Sequence, residues 1–163
     1  MEAYFDNSAT TIVTDSVKDI VVKTMTEDFG NPSAMHMVGV KAEKYIKEAQ
    51  ENIAKILKVD PKEIFFTSGG TESNNMAIIG TAMANKRKGN KIITTSVEHS
   101  SVLATMKYLE EQGFEVIYLP VDRYGVVQME ALEKEMTEDT ILVSTMYVNN
   151  EVGAIEPVGE IGQ

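Results

Sequence analysis

The chain has 163 residues, a length that suits one domain burying about two-thirds of its unfolded surface on folding. With 43% hydrophobic and 25% charged residues it has the composition of a globular protein, and a net charge of -10 argues against nucleic acid as a partner. Cysteine is absent, which removes disulfides, thiolate nucleophiles and thiolate metal ligands, and with His36 and His99 as the only histidines no dedicated metal site is expected. No apolar run is long enough to span a bilayer and the N-terminus lacks the pattern of a signal peptide, so a cytoplasmic location is expected, away from membranes.

In chain order, Thr14 or Asp15 can cap a helix whose apolar face is Val17, Ile20, Val21 and Met25. Gly30-Asn31-Pro32-Ser33 breaks the chain, and a longer helix is predicted from about Val38 to Leu57, ending before Asp60-Pro61. Glu63 to Thr67, with Ile64, Phe65 and Phe66, reads as a short buried strand. Gly69-Gly70 then turns into a helix carrying Met76, Ile79 and Met83. Lys91 to Ser96 is a β-branched strand, followed by a helix with Val102, Met106 and Leu109 on one face and Gly113 at its C-terminal end. Phe114–Leu119 reads as a third strand, Gln128–Met136 as a short helix and Thr140–Val148 as a fourth strand. Strands alternating with helices imply an α/β fold of three layers, α/β/α, with a mostly parallel sheet. A fourth strand that delivers a loop shortly before Gln163 leads us to expect a partial domain rather than a finished one.

Three loops carry polar groups that could do chemistry. In Thr67-Ser68-Gly69-Gly70-Thr71-Glu72-Ser73-Asn74-Asn75, glycines allow close backbone approach, the helix start offers free N–H groups, and the Thr71 hydroxyl adds a donor; together these fit one phosphate. The alternative is an ordinary strand-to-helix turn, capped by Ser68 or Thr71. Neither the Walker pattern nor G-x-G-x-x-G is present, so a nucleotide is not indicated. His99 follows the Lys91–Ser96 strand at the sheet edge where open α/β sheets bind ligands, and an imidazole there can stack on a flat ring or move a proton; a lone histidine can equally be structural. Glu98-His99-Ser100-Ser101 lacks the elbow of a hydrolase and is not read as a triad. Asn149-Asn150 follows the last strand, and an amide there can donate to a phenolic or carboxylate oxygen, or simply form a turn ahead of Gly153. The convergence of all three loops on one edge is a stronger signal than any one of them.

Five ordered segments resemble the cysteine desulfurases of the NifS/IscS kind, in the class V aminotransferase family of fold type I. They are Tyr4-Phe5-Asp6-Asn7-Ser8-Ala9-Thr10-Thr11; Phe29-Gly30-Asn31-Pro32-Ser33 with His36 and Gly39; Phe66 to Asn74; Val97-Glu98-His99; and Val148-Asn149-Asn150-Glu151-Val152-Gly153. The resemblance implies pyridoxal 5'-phosphate (PLP) as cofactor. It implies that Gly70 and Thr71 hold the PLP phosphate, that His99 stacks on the pyridine ring and assists proton transfer as the catalytic residue, and that Asn150 lies near the phenolic oxygen and the substrate carboxylate. Residues 1–14 resemble the segment that packs with a small domain, and residues 15–163 the first half of the large PLP-binding domain.

The resemblance further implies a homodimer that converts L-cysteine to L-alanine and passes sulfur to an enzyme cysteine, with a sulfur-acceptor or iron–sulfur scaffold protein as a further partner. The family's ring-nitrogen Asp with its nearby Gln, its Ser-x-His-Lys segment with the Schiff-base lysine, its nucleophilic cysteine and its substrate-binding Arg have no counterpart among these 163 residues. The chain alone is therefore expected to be inactive and unable to attach PLP covalently at the family lysine. Other readings are another class V enzyme, such as a selenocysteine lyase or a small-amino-acid transaminase, or a non-catalytic half-domain with a binding or assembly role. The Asn-Asn-Glu motif and the Phe-Gly-Asn-Pro-Ser segment favour the desulfurase.

Overall fold

A computed structural model describes residues 3–163; the first two residues of the predicted 1–14 segment lie outside it. The chain divides into two compact units, Met1–Phe66 and Thr67–Gln163.

The first unit holds helices α1 (Asp15–Thr26) and α2 (Met37–Leu57) and a 3₁₀ turn at Pro61–Glu63. α1 is the helix predicted from its apolar spacing, yet none of its residues is buried. α2 begins at His36, whose Nδ1 accepts the Gly39 N–H at 3.3 Å as an N-cap. Gly39 has to be glycine here, because a Cβ would lie 2.2 Å from the Ala34 carbonyl oxygen. Asp28 is the polar anchor of this unit. Its buried carboxylate accepts the Tyr45 hydroxyl at 2.5 Å, and the Lys41 ammonium lies 2.5 Å from its other oxygen. α2 stops at Lys58 in a left-handed conformation, before the Asp60 capping box with Glu63.

The buried strand predicted at Glu63–Thr67 does not form. Glu63 ends the 3₁₀ turn, Ile64–Thr67 lies in no strand, and Phe65 and Phe66 are 70% and 54% exposed. An apolar run becomes a strand only where a ladder pairs its backbone, and here the Ile64 carbonyl accepts a side-chain N–H from Gln50 instead.

The second unit holds α3 (Gly70–Asn85), β1 (Lys91–Thr95), α4 (Ser100–Glu111), β2 (Glu115–Leu119), α5 (Met129–Glu135), β3 (Thr140–Ser144) and α6 (Val158–Ile161). The strands pair in the order β2-β1-β3, all parallel. β1, rich in β-branched residues, sits in the centre and is buried along its whole length. Its alternating side chains feed two cores. Ile92 packs with Ile78 and Ala82 of α3 and with Val102, Met106 and Leu109 of α4; Ile93 packs with Leu119, Val127 and Leu132 on the opposite face. Helices therefore cover both faces, giving the three α/β/α layers expected. The last strand is shorter than predicted: the ladder ends at Ser144, and Val148 forms only an isolated antiparallel bridge with Ile155.

Candidate functional site

Parallel strands end together, so the loops after β1 and β3 share one edge of the sheet, where open α/β folds place their ligands. Gly70, Thr71, His99 and Asn150 are all exposed.

α3 starts at Gly70 with Gly69 as its N-cap in extended backbone, and no side chain caps it. Neither Ser68 nor Thr71 does so. The Ser68 N–H and hydroxyl instead donate to the same oxygen of Glu72, at 2.6 and 2.7 Å. This holds the Glu72 carboxyl below the usual carboxylate range, first through the Ser68 hydroxyl and then through its backbone N–H. Thr67 and Ser73 hydroxyls pair at 2.6 Å across the turn. Among the described residues nothing lies within 4 Å of where a Cβ would stand on Gly69 or Gly70, which leaves room for an approaching group.

Hydrogen bonds carry this turn to the edge of the sheet. Asn74 of α3 donates its side-chain amide to the Ser101 hydroxyl at 2.9 Å, and that hydroxyl lies 2.9 Å from His99 Nδ1. The Ser101 N–H also donates to Nδ1, at 3.2 Å, so His99 is the N-cap of α4. A nitrogen that accepts carries no proton; the neutral imidazole therefore holds its proton on Nε2. His99 is thus both structural, through Nδ1, and available, through its exposed ring.

The asparagine pair divides the two roles proposed for it. Asn149 is buried and organises the turn: its Oδ1 accepts the Glu151 and Val152 N–H groups at 2.9 and 3.0 Å, and its Nδ2 donates to the Val97 carbonyl at 3.1 Å. Gly153, at φ +73°, closes that turn by donating to the Asn149 carbonyl. Asn150 is exposed and donates to Glu151 Oε1 at 2.7 Å.

Glu98 enters the sequence reading in a rejected triad and in the Val97-Glu98-His99 segment, with no role of its own, and the structure gives it one. It is buried, and its Oε1 accepts the Thr95 hydroxyl at 2.9 Å and the Met146 N–H at 2.7 Å. Burial pushes its carboxyl up; the two donors oppose this, and the negative charge of Glu156 adds to it. Ser101 and Thr105 were missed as well. They carry a legible signal, because they lie i, i+4 on the same buried face of α4 as Val102, Met106 and Leu109, and a polar group there requires a partner. Asn74 and Asn75 are those partners, the second bonding Thr105.

The candidate site offers an uncapped helix start with a threonine hydroxyl, an exposed imidazole and an exposed primary amide, groups that can donate to or stack on a polar ligand. Among the described residues no helix is long and apolar enough to cross a membrane.

The aminotransferase class-V family model matches residues 3–163. The chain is 48% identical over 162 residues to the cysteine desulfurase IscS of Clostridium botulinum, covering 99% of this chain and 41% of that protein. It is 51% identical over 160 residues to the cysteine desulfurase IscS of Methanosarcina thermophila, covering 98% of this chain and 40% of the relative. Among solved structures, a NifS-like protein superposes with a TM-score of 0.94 at 48% identity, over 99% of this chain and 44% of its own. The chain thus spans about two-fifths of the length of the curated relatives it matches.

Proposed function

The chain belongs to the class-V aminotransferases, and within that family we propose that it supplies the N-terminal part of a PLP-dependent cysteine desulfurase. The observation that carries this reading is the hydrogen-bonded convergence of the uncapped Gly70–Thr71 turn, His99 and the Asn149–Asn150 loop on one sheet edge, in a chain 48% identical to a cysteine desulfurase.

In this proposal the backbone N–H groups of Gly70 and Thr71, the Thr71 hydroxyl and the positive end of α3 bind the phosphate of PLP. The His99 ring stacks on the pyridine and its Nε2 handles a proton, while Nδ1 stays committed to Ser101. The Asn150 amide donates to the phenolic oxygen and orients the substrate carboxylate. When bound, PLP supplies the electron sink that stabilises negative charge on the substrate carbon. The whole enzyme acts on L-cysteine as a homodimer in the cytoplasm and serves sulfur transfer to an acceptor such as an iron–sulfur scaffold protein. Residues 1–14 pack with the small domain of that enzyme, and residues 15–163 form the first half of its large domain. Cysteine desulfurase relatives at 48% and 51% identity favour this reading over a selenocysteine lyase or a transaminase.

Titration of the chain with free PLP, followed by NMR, tests the reading. Shifts confined to Gly69–Ser73, His99 and Asn150 are expected. A folded chain in which saturating PLP moves none of them would refute it.

A further inference from the structure

The turn after β1 and the segment after β3 are joined by two side-chain bonds that run in opposite directions. Glu98 reaches from the first to accept the Met146 N–H at 2.7 Å, and Asn149 reaches back from the second to the Val97 carbonyl at 3.1 Å. One bond would leave two loops free to rotate about it; a reciprocal pair fixes spacing and orientation together. The residues so braced are the immediate neighbours of His99 and Asn150. Glu98 is 7% exposed and its Oε1 also accepts the Thr95 hydroxyl from the end of β1, so the brace is anchored to the central strand. A buried carboxyl is costly unless its hydrogen bonds are made, which disfavours it as mere filler at this place.

We infer that Glu98 is a positioning residue, holding the His99 ring and the Asn150 amide in one fixed arrangement through its bond to the Met146 N–H. The inference rests on the reading of His99 and Asn150 as cofactor-binding residues, but its test does not need the cofactor.

The test is NMR of the chain without added ligand. A through-hydrogen-bond coupling between the Met146 amide nitrogen and the Glu98 carboxyl carbon is expected, and its absence in the folded chain overturns the inference. In Glu98→Ala, the Met146 amide proton should exchange at least tenfold faster, and the His99 ring and Asn150 side-chain resonances should move together. Glu98→Gln keeps an acceptor oxygen and should restore all three toward their original values. Unchanged Met146 exchange, or His99 and Asn150 signals that stay in place, overturns the inference. Where Glu98→Ala yields no folded chain, the coupling in the unmodified chain and the behaviour of Glu98→Gln decide. A chain that passes these tests but shows no shift with PLP refutes the cofactor reading alone and leaves the hold of Glu98 on the two residues standing.

Discussion

His99 Nδ1 lies 3.2 Å from the Ser101 backbone nitrogen and accepts its proton, so the residue expected to face the cofactor also caps the helix behind it. His99→Ala should therefore lower stability by about 0.5–2 kcal/mol, the usual cost of losing an N-cap side chain, besides removing the ring from the site. His99→Asn restores a capping side chain without an imidazole. Thermal melts should show Asn close to the unmodified chain and Ala below it, while PLP-dependent shifts are lost in both. Equal stability of all three chains would show that the cap contributes nothing.

Asp28 gives the first unit a pH window. The Lys41 ammonium and the Tyr45 hydroxyl hold its carboxyl below its ordinary 3.8, and the same contact holds Lys41 above its ordinary 10.5. A lowered carboxylate contributes stability that is present above 3.8 and lost as pH falls through the folded-state value. A raised ammonium contributes stability that is present below 10.5 and lost as pH rises through its own. Amide protection in α2 should hold between these limits and fall at both ends. In Asp28→Asn the fall at acid pH should disappear, together with part of the protection at neutral pH; an unchanged acid limb would assign that loss to other groups.

The α/β class, the central strand and most helix positions were legible because β-branched runs and i, i+3, i+4 apolar spacing report the burial that defines them. The failure at Glu63–Thr67 came from the same rule. Phe65 and Phe66 look like core, and only the missing ladder and their exposure show otherwise. In the candidate site, the placement of Gly70, Thr71, His99 and Asn150 at exposed element ends was legible in the sequence. The bonds of Glu98, Ser101 and Asn149 to distant residues were not, because they span about 27 to 52 residues of sequence, which local pattern does not encode.

Glu156 is the deepest carboxyl of the second unit, at 1% exposure, with Oε2 accepting the Val127 N–H at 2.8 Å and Oε1 without a partner. Glu156→Ala would leave the Val127 N–H unpaired, at a cost of about 1–3 kcal/mol. Glu156→Gln keeps the acceptor and should cost less. Denaturant titration measures both; an Ala variant as stable as the unmodified chain would show that the Val127 bond adds no net stability.

The sequence contains no cysteine, so no side chain here can receive sulfur as a persulfide. Incubated with PLP and L-cysteine, the chain should carry no protein-bound persulfide by intact-mass measurement, and it should release no sulfide above a PLP-only control. Sulfide production by the purified chain would require a chemistry outside the proposed one.

In the proposed phosphate site, Glu72 is expected to set the strength of binding. Its carboxylate is drawn back onto Ser68 at 2.6 and 2.7 Å, leaving a negative charge in the first turn of α3, where an incoming phosphate would bring at least one more. A helix start is worth about 0.3–1 kcal/mol to a nearby anion when exposed, and converging N–H groups add to that, but a like charge close by offsets much of the gain. Glu72→Gln removes the charge and keeps an acceptor for Ser68, so inorganic phosphate should bind several-fold tighter. Thr71→Val removes a donor and should weaken binding by a comparable factor. The Glu72→Gln effect should shrink as salt is raised from low to physiological strength, since screening acts on exposed charges, whereas the Thr71→Val effect, the loss of a short-range donor, should persist. Amide shifts of Gly69–Ser73 during phosphate titration measure all three chains. Tighter binding in Glu72→Gln with weaker binding in Thr71→Val is the expected pair; a Thr71→Val chain that binds phosphate as well as the unmodified one would remove this turn from the site.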